Sequence, residues 1–253
     1  MFNFLQITSW LASIAFCFYY GRKIGMSKLK SVLCTIFSIV FFHMFMLFQA
    51  WVESGFQNFG AQNLVRVFAF APIIFILEAK IFKVSFRTMS DFHAIWPMLL
   101  HGISHYACFF VGCCNGYQYV EGSLPYKIAY ALTGTNELPN QIFESTAALI
   151  VTLILFIIAK KKNFNTNGRL YYIMLVIFGA QRTLWEFLRN NQKVIVFGKM
   201  PNAVNGDFGI SNLACYSILM VLVGIGFLIA YHIIDKKKAA KEQETKTEVT
   251  VTE

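Results

Sequence analysis

Arg182, Glu186 and Arg189 close the stretch Gly179-Ala180-Gln181-Arg182-Thr183-Leu184-Trp185-Glu186-Phe187-Leu188-Arg189, at the end of an apolar run long enough to cross a membrane. A charge at bilayer depth costs about 3 kcal/mol on insertion scales, so such residues read first as a functional site. On a helix the three are spaced i, i+4, i+7 and share one face. A guanidinium presents a planar fork of donors that matches phosphate oxygens, which makes Arg182 a candidate phosphate-binding group. The competing reading is a structural ion pair between Arg182 and Glu186 or Glu144. Arg189, nearest the surface, reads as a side chain snorkelling to the interface.

The elements that carry these residues follow from composition. Of 253 residues, 57% are hydrophobic and only 14% are charged. A soluble domain carries about a quarter charged residues, so the expected class is all-α, a polytopic membrane bundle. Seven apolar segments can be drawn, at about 2–20, 31–51, 65–82, 92–114, 141–159, 169–188 and 211–234, each near the twenty residues that a bilayer core requires. The first lacks a basic leader and a cleavage site and reads as a retained helix. The loops after segments 1, 3 and 5 and the C-terminal tail hold most of the lysines and arginines. The opposite side holds Arg66, Lys127, Arg182, Arg189, Lys193 and Lys199. The positive-inside rule then puts the N-terminus outside and the C-terminus in the cytoplasm. The net charge of +9 is explained by these loops rather than by nucleic-acid binding.

With that topology, segment 4 carries His101 and His105 toward the outer surface, His105 about 21 Å beyond Asp91. Segment 6 carries Arg182 about 20 Å along its length to the same level. Segment 5 begins there, with Asn140, Gln141 and Glu144. Three helices thus bring polar groups to the outer head-group level. Ser90-Asp91 is expected to cap segment 4. Pro72 and Pro97 are candidate kinks, the loop 115–140 is expected to be irregular, and the loop 189–210 carries turn residues. Residues 1–235 form the membrane domain. Residues 236–253 run from basic to Glu/Thr-rich and are expected to be disordered. Cys17, Cys34 and Cys215 read as small buried hydrophobes. Cys108, Cys113 and Cys114 match no zinc spacing and read as packing or as a disulfide near the outer face. No metal or cofactor is expected.

Three motifs, in order, resemble those of the bacterial prolipoprotein diacylglyceryl transferases. Ser90-Asp91-Phe92 with Cys108-Phe109-Phe110-Val111-Gly112-Cys113-Cys114-Asn115-Gly116 is similar to the family's central glycine-containing signature. Pro139-Asn140-Gln141-Ile142-Phe143-Glu144 resembles its Pro-x-Gln-Tyr-Glu motif. Arg182 through Arg189 resembles its Arg-x-x-x-Glu-Phe-x-Arg motif, and Ile210-Ser211 fits the opening of the last helix. The resemblance spans about residues 86–234. It implies transfer of diacylglyceryl from phosphatidylglycerol to the lipobox cysteine of a preprolipoprotein signal peptide, at the outer face of the bacterial cytoplasmic membrane. It implies Arg182 and Glu186 as catalytic residues, and Gln141, Glu144, Arg189 and Asn140 as substrate-binding ones; His105 is expected as a further catalytic residue and His101 as a further substrate-binding one, in place of lost family groups. The chain departs from the pattern in places. His105 stands where the family has arginine, the region 66–72 lacks the family histidine, and Leu138, Phe143 and Ala214 replace a histidine, a tyrosine and a glutamine. Two rival readings are a lipid-binding homologue with altered or no activity, and a transporter. The latter would call for symmetrical helix breaks and midplane ion ligands, which the sequence does not show.

Overall fold

A lipid-facing helix turns the soluble amphipathic rule inside out, and α1 (Phe2–Lys23) does this plainly. Its buried face is Ser9, Ser13, Cys17, Tyr20 and Gly21, while Ile7, Leu11 and Phe18 are exposed. Small residues on the inner face let helix backbones approach where no water drives association. α2 (Lys28–Glu53) repeats the pattern with Ser31, Cys34, Thr35 and Ser38 inside. The computed structural model describes residues 1–57 and 64–252, with side chains for residues 1–57 and 65–243.

The chain continues through α3 (Leu64–Phe82), α4 (Phe86–Phe92), α5 (Trp96–Val111), α6 (Leu124–Thr133), α7 (Asn140–Lys161), α8 (Leu170–Phe187), β1 (Lys193–Lys199), β2 (Asp207–Ser211) and α9 (Asn212–Thr252). The long helices pack as a closed ring: α1 on α2, α2 on α3, α3 on α9, α9 on α8, α8 on α7, α7 on α5 and α5 back on α1. The short α4 lies against α1, α3 and α8. Among the described residues, five stretches are long and apolar enough to cross a membrane: Phe2–Lys23, Lys28–Glu53, Phe86–Val111, Asn140–Lys161 and Asn212–Gln243. The other two ring members carry more polar load, with Arg66, Glu78 and Lys80 on α3 and Arg182 and Glu186 on α8.

Several expectations change. Ser90 and Asp91 do not open segment 4. They lie inside α4, which Ser85 caps by accepting from the Thr88 N–H at 3.0 Å. Asp91 caps a different helix: its carboxylate accepts from the Gly168 and Leu170 N–H groups at 2.9 and 3.2 Å, fixing the start of α8. Pro97 sits in the first turn of α5, where its missing N–H costs nothing, and Pro72 lies within α3. The loop 115–140 is not irregular throughout, because α6 forms inside it behind a Ser123 cap. The loop 189–210 holds an antiparallel pair, β1 with β2. Beyond residue 235, α9 continues as helix to Thr252. The Lys, Ala, Glu and Gln residues there are good helix formers. Residue 253 lies outside the described residues.

Two close packings set the frame for the polar residues. α8 meets α9 across glycines: a Cβ on Gly179 would stand 2.7 Å from the Ser217 carbonyl, and one on Gly224 2.8 Å from that of Tyr172. On the α3–α5 side, buried Glu78 takes the Ser38 hydroxyl at 2.7 Å and lies 2.5 Å from His93 Nε2. The His93 ring stacks on Phe75 at 4.5 Å and accepts from Trp96 Nε1 at 3.2 Å. That cluster ties α2, α3 and the α4–α5 junction together, and nothing in the sequence pattern singled it out.

Candidate functional site

The polar residues meet at the end of the ring where α5 and α8 finish and α7 begins. Glu144, in the second turn of α7, is fully buried and takes three partners. Arg182 Nη1 donates to its Oε2, Arg189 Nη2 donates to its Oε1 at 2.7 Å, and His105 Nε2 lies 2.7 Å from Oε2. Glu186, one turn beyond Arg182, accepts from Arg182 Nη2 at 2.6 Å and stands 3.4 Å from Arg189 Nη1. Two guanidiniums and two carboxylates thus alternate in a closed square, with Arg182 only 1% exposed. The square is neutral as a whole, which is what makes four buried charges tolerable.

One helix face does not build this square. α8 ends at Phe187, so Arg189 does not follow Arg182 and Glu186 on the helix as its spacing suggested. It lies in an isolated bridge with Gly116 and turns its guanidinium back toward the helix end. Nor does Arg189 snorkel: it is 5% exposed and bound to both carboxylates.

His101 and His105 stack one turn apart on α5, ring centroids 5.0 Å apart. Gln141 and Asn140 are fully buried beside them in sequence to Glu144. Gln141 points its Nε2 at the α5–α6 loop, donating to the Cys113 carbonyl and to Asn115 Oδ1, the latter at 2.5 Å. The structure therefore brings His105, Glu144, Arg182, Glu186 and Arg189 into direct contact, adds His101 through stacking, and uses Gln141 to hold a loop. Several buried polar atoms have no partner among the described residues: Arg182 Nε, Arg189 Nε, His101 Nε2, Gln141 Oε1 and both amide atoms of Asn140.

Other residues support the square without having been picked out. Ser211 donates to Glu186 Oε2 at 2.7 Å while its Oγ accepts from the Ala214 N–H, so one hydroxyl caps α9 and satisfies the carboxylate. Asn191 donates to the same oxygen at 2.8 Å. Lys193 Nζ donates to the carbonyls of Glu186 and Arg189, each at 2.9 Å, closing the open end of α8. Burial lowers the Lys193 amine from the ordinary lysine value. The helix-capping signal of Ser211 was readable, but its second bond depends on where β2 brings the chain.

A cation would fit poorly here. His101, His105 and Glu144 bring one ligand atom each within 4.8 Å of the others. Glu144, however, is already held by two guanidiniums, and a divalent ion would sit against both. The arrangement suits an anion better. The Nη groups are taken by carboxylates, while the two buried Nε–H groups have no partner among the described residues.

A cavity of about 470 Å³ adjoins the site between α1, α2 and α5. Trp10, Ile39, Phe42, Trp96 and Leu100 make its wall mainly apolar, and His101 lines it as well. His101 therefore lines the oily space and stacks on His105, which contacts the charged square.

The model of the prolipoprotein diacylglyceryl transferase family matches residues 9–230. The chain belongs to the prolipoprotein diacylglyceryl transferase family. No curated protein matches it. This is a transferase family acting on lipid and prolipoprotein substrates, and the apolar helices agree with a multi-pass membrane protein. Four of the positions expected to depart from the family's pattern lie in apolar packing, whereas His105 lies against Glu144. Leu138 lies in a cap core with Tyr117, Tyr119, Ala129 and Met200, and Phe143 stacks on Trp185 at 5.4 Å. Phe68 packs on Phe178, and Ala214 is buried against the Ser211 cap. The three free thiols of Cys108, Cys113 and Cys114 form no disulfide.

Proposed function

We propose that this protein transfers diacylglyceryl from phosphatidylglycerol to the lipobox cysteine thiol of preprolipoproteins. The observation that carries the reading is the buried Arg182–Glu144–Arg189–Glu186 square, joined through His101 to an apolar cavity. A two-tailed phospholipid needs that pairing: an oily space for hydrocarbon beside donors for a phosphodiester. The Nε–H edges of Arg182 and Arg189 receive the phosphate oxygens. The thiol sulfur attacks the glycerol carbon that bears the phosphate ester. A C–S bond forms, the C–O bond breaks, and glycerol phosphate leaves with one more negative charge than the diester carried. His105, held by Glu144, takes the thiol proton. The imidazolium and the two guanidiniums then face the charge that develops on the leaving phosphate. Glu186 keeps Arg182 and Arg189 aimed.

The same reading takes α3 and α8 as membrane spans alongside the five apolar stretches, making seven. It puts the N-terminus outside, the C-terminus in the cytoplasm and the site at the outer face of a bacterial plasma membrane. The excess of lysine and arginine at the opposite end of the bundle supports this orientation. Residues 236–253 then form a cytoplasmic extension.

The test is transfer of radiolabelled glycerol from phosphatidylglycerol to a lipobox peptide by purified protein in nanodiscs. The expected result is a labelled peptide, abolished by Arg182→Ala. One observation favours a second reading: both Nη groups of Arg182 are already engaged by carboxylates. Under it the protein binds phosphatidylglycerol without cleaving it. Retained lipid binding with no labelled peptide would decide for that reading and against transfer.

A further inference from the structure

The thiols of Cys108, Cys113 and Cys114 have no part in the transfer described above, yet the backbone is bent to bring them together. On a continued helix Cys113 and Cys114 would point about 140° and 120° away from Cys108, to opposite sides. Instead α5 stops at Val111 and Gly112 takes a left-handed conformation at φ 72°. The Cys113 N–H returns to the Cys108 carbonyl at 3.2 Å. Cys114 then adopts φ 66°, a left-handed conformation that costs a residue bearing a Cβ roughly 1–2 kcal/mol. After these two reversals the three Sγ atoms lie within 4.8 Å of one another, all of them free thiols.

The turn is held from outside. Gln141 donates to the Cys113 carbonyl and to Asn115 Oδ1, Asn115 Nδ2 donates to Glu137 at 2.6 Å, and the Gly116 N–H bonds the Leu138 carbonyl at 2.8 Å. The loop is therefore fixed on three sides while the thiols face one another. Cys113 is exposed and the other two are half-buried, so an ion can reach them.

We propose that Cys108, Cys113 and Cys114 form a binding site for one thiophilic closed-shell metal ion of the zinc class. Metal–sulfur bonds of about 2.3 Å place tetrahedral thiolates about 3.8 Å apart, which small χ1 adjustments reach from the observed separation. Binding replaces up to three S–H protons, which pass to solvent, and leaves a fourth position for water. The ion would lock the α5–α6 loop and, through Gln141, the first turn of α7, directly ahead of Glu144. The inference stands apart from the transferase reading, since it needs no lipid and no turnover.

The experiment uses the full-length reduced protein in detergent micelles, with Zn²⁺ and then Cd²⁺ as probes. The expected result is about one ion per chain after gel filtration, with thiolate-to-cadmium charge-transfer absorption in the ultraviolet. Zn²⁺ should protect all three cysteines from maleimide labelling, read by peptide mass spectrometry on the unmutated chain. Cys108→Ser, Cys113→Ser and Cys114→Ser should each bring the ion count near zero, while Cys215→Ser, on α9 and outside the cluster, should leave it unchanged. An ion retained when all three are serine would overturn the proposal. So would unprotected labelling in excess Zn²⁺, or a disulfide among the three that persists in the reduced protein.

Discussion

Replacing Glu144 with Gln tests whether the charged square is one coupled unit. The substitution keeps the shape of the side chain and removes its charge. In the native arrangement Glu144 and Glu186 balance Arg182 and Arg189, and all four are at most 5% exposed. In Glu144→Gln, Glu186 alone faces two guanidiniums, and Arg182 Nη1 and Arg189 Nη2 lose their charged acceptor. Removing one partner of a buried pair leaves an uncompensated charge and costs about 3–5 kcal/mol. Arg189→Gln should cost less, because Glu186 keeps Arg182, Asn191 and Ser211 while Glu144 keeps Arg182 and His105. The double variant restores neutrality with Arg182 and Glu186 still paired. Its loss should fall short of the sum of the single losses by about 1–3 kcal/mol, a coupling usual for residues in one network. The assay is reversible unfolding in mixed micelles by denaturing detergent, followed by tryptophan fluorescence. Single-variant losses that add without coupling would refute the reasoning, because charges that do not feel one another are not a square.

Two further outcomes follow from other contacts. Gly179→Val should push α8 away from the Ser217 carbonyl, which a Cβ would meet at 2.7 Å, costing about 1–3 kcal/mol and displacing Arg182 three residues on; the same unfolding assay and the glycerol-transfer assay read the two effects. Lys193 has its amine lowered by burial, so the unfolded chain binds more protons than the folded one just below the ordinary lysine pKa of about 10.4, and this group makes stability rise with pH in that window. The rise should be shallower in Lys193→Met, measured as a difference from the native protein so that other titrations cancel.

Much of the fold was legible because membrane helices announce themselves by apolar run length. The ring members fall on the seven segments drawn from hydropathy, even though α3 and α8 carry charges. What was misplaced were the ends. Ser90 and Asp91 looked like a cap on their own helix, and Asp91 caps α8 instead, seventy-seven residues away in sequence. Capping chemistry identifies a donor or acceptor, and only packing identifies its partner. The helix α6 and the β1–β2 hairpin hid in loops rich in turn residues, since short elements leave little periodic signal.

The sequence by itself determined that polar groups on three helices reach one end of an apolar bundle. Residue type and position along a helix of known rise are enough for that. It also carried the family, through three motifs in order along the chain. Tertiary structure alone decided which charges meet. Glu144 became the shared acceptor of Arg182, Arg189 and His105 because α5, α7 and α8 are neighbours in the ring. Arg189 joined them from beyond the helix end, held by a bridge to Gly116 that no spacing rule anticipates. The three thiols converged for a similar reason. Two left-handed residues reverse the chain after α5, and such reversals move side chains that helical periodicity would keep apart.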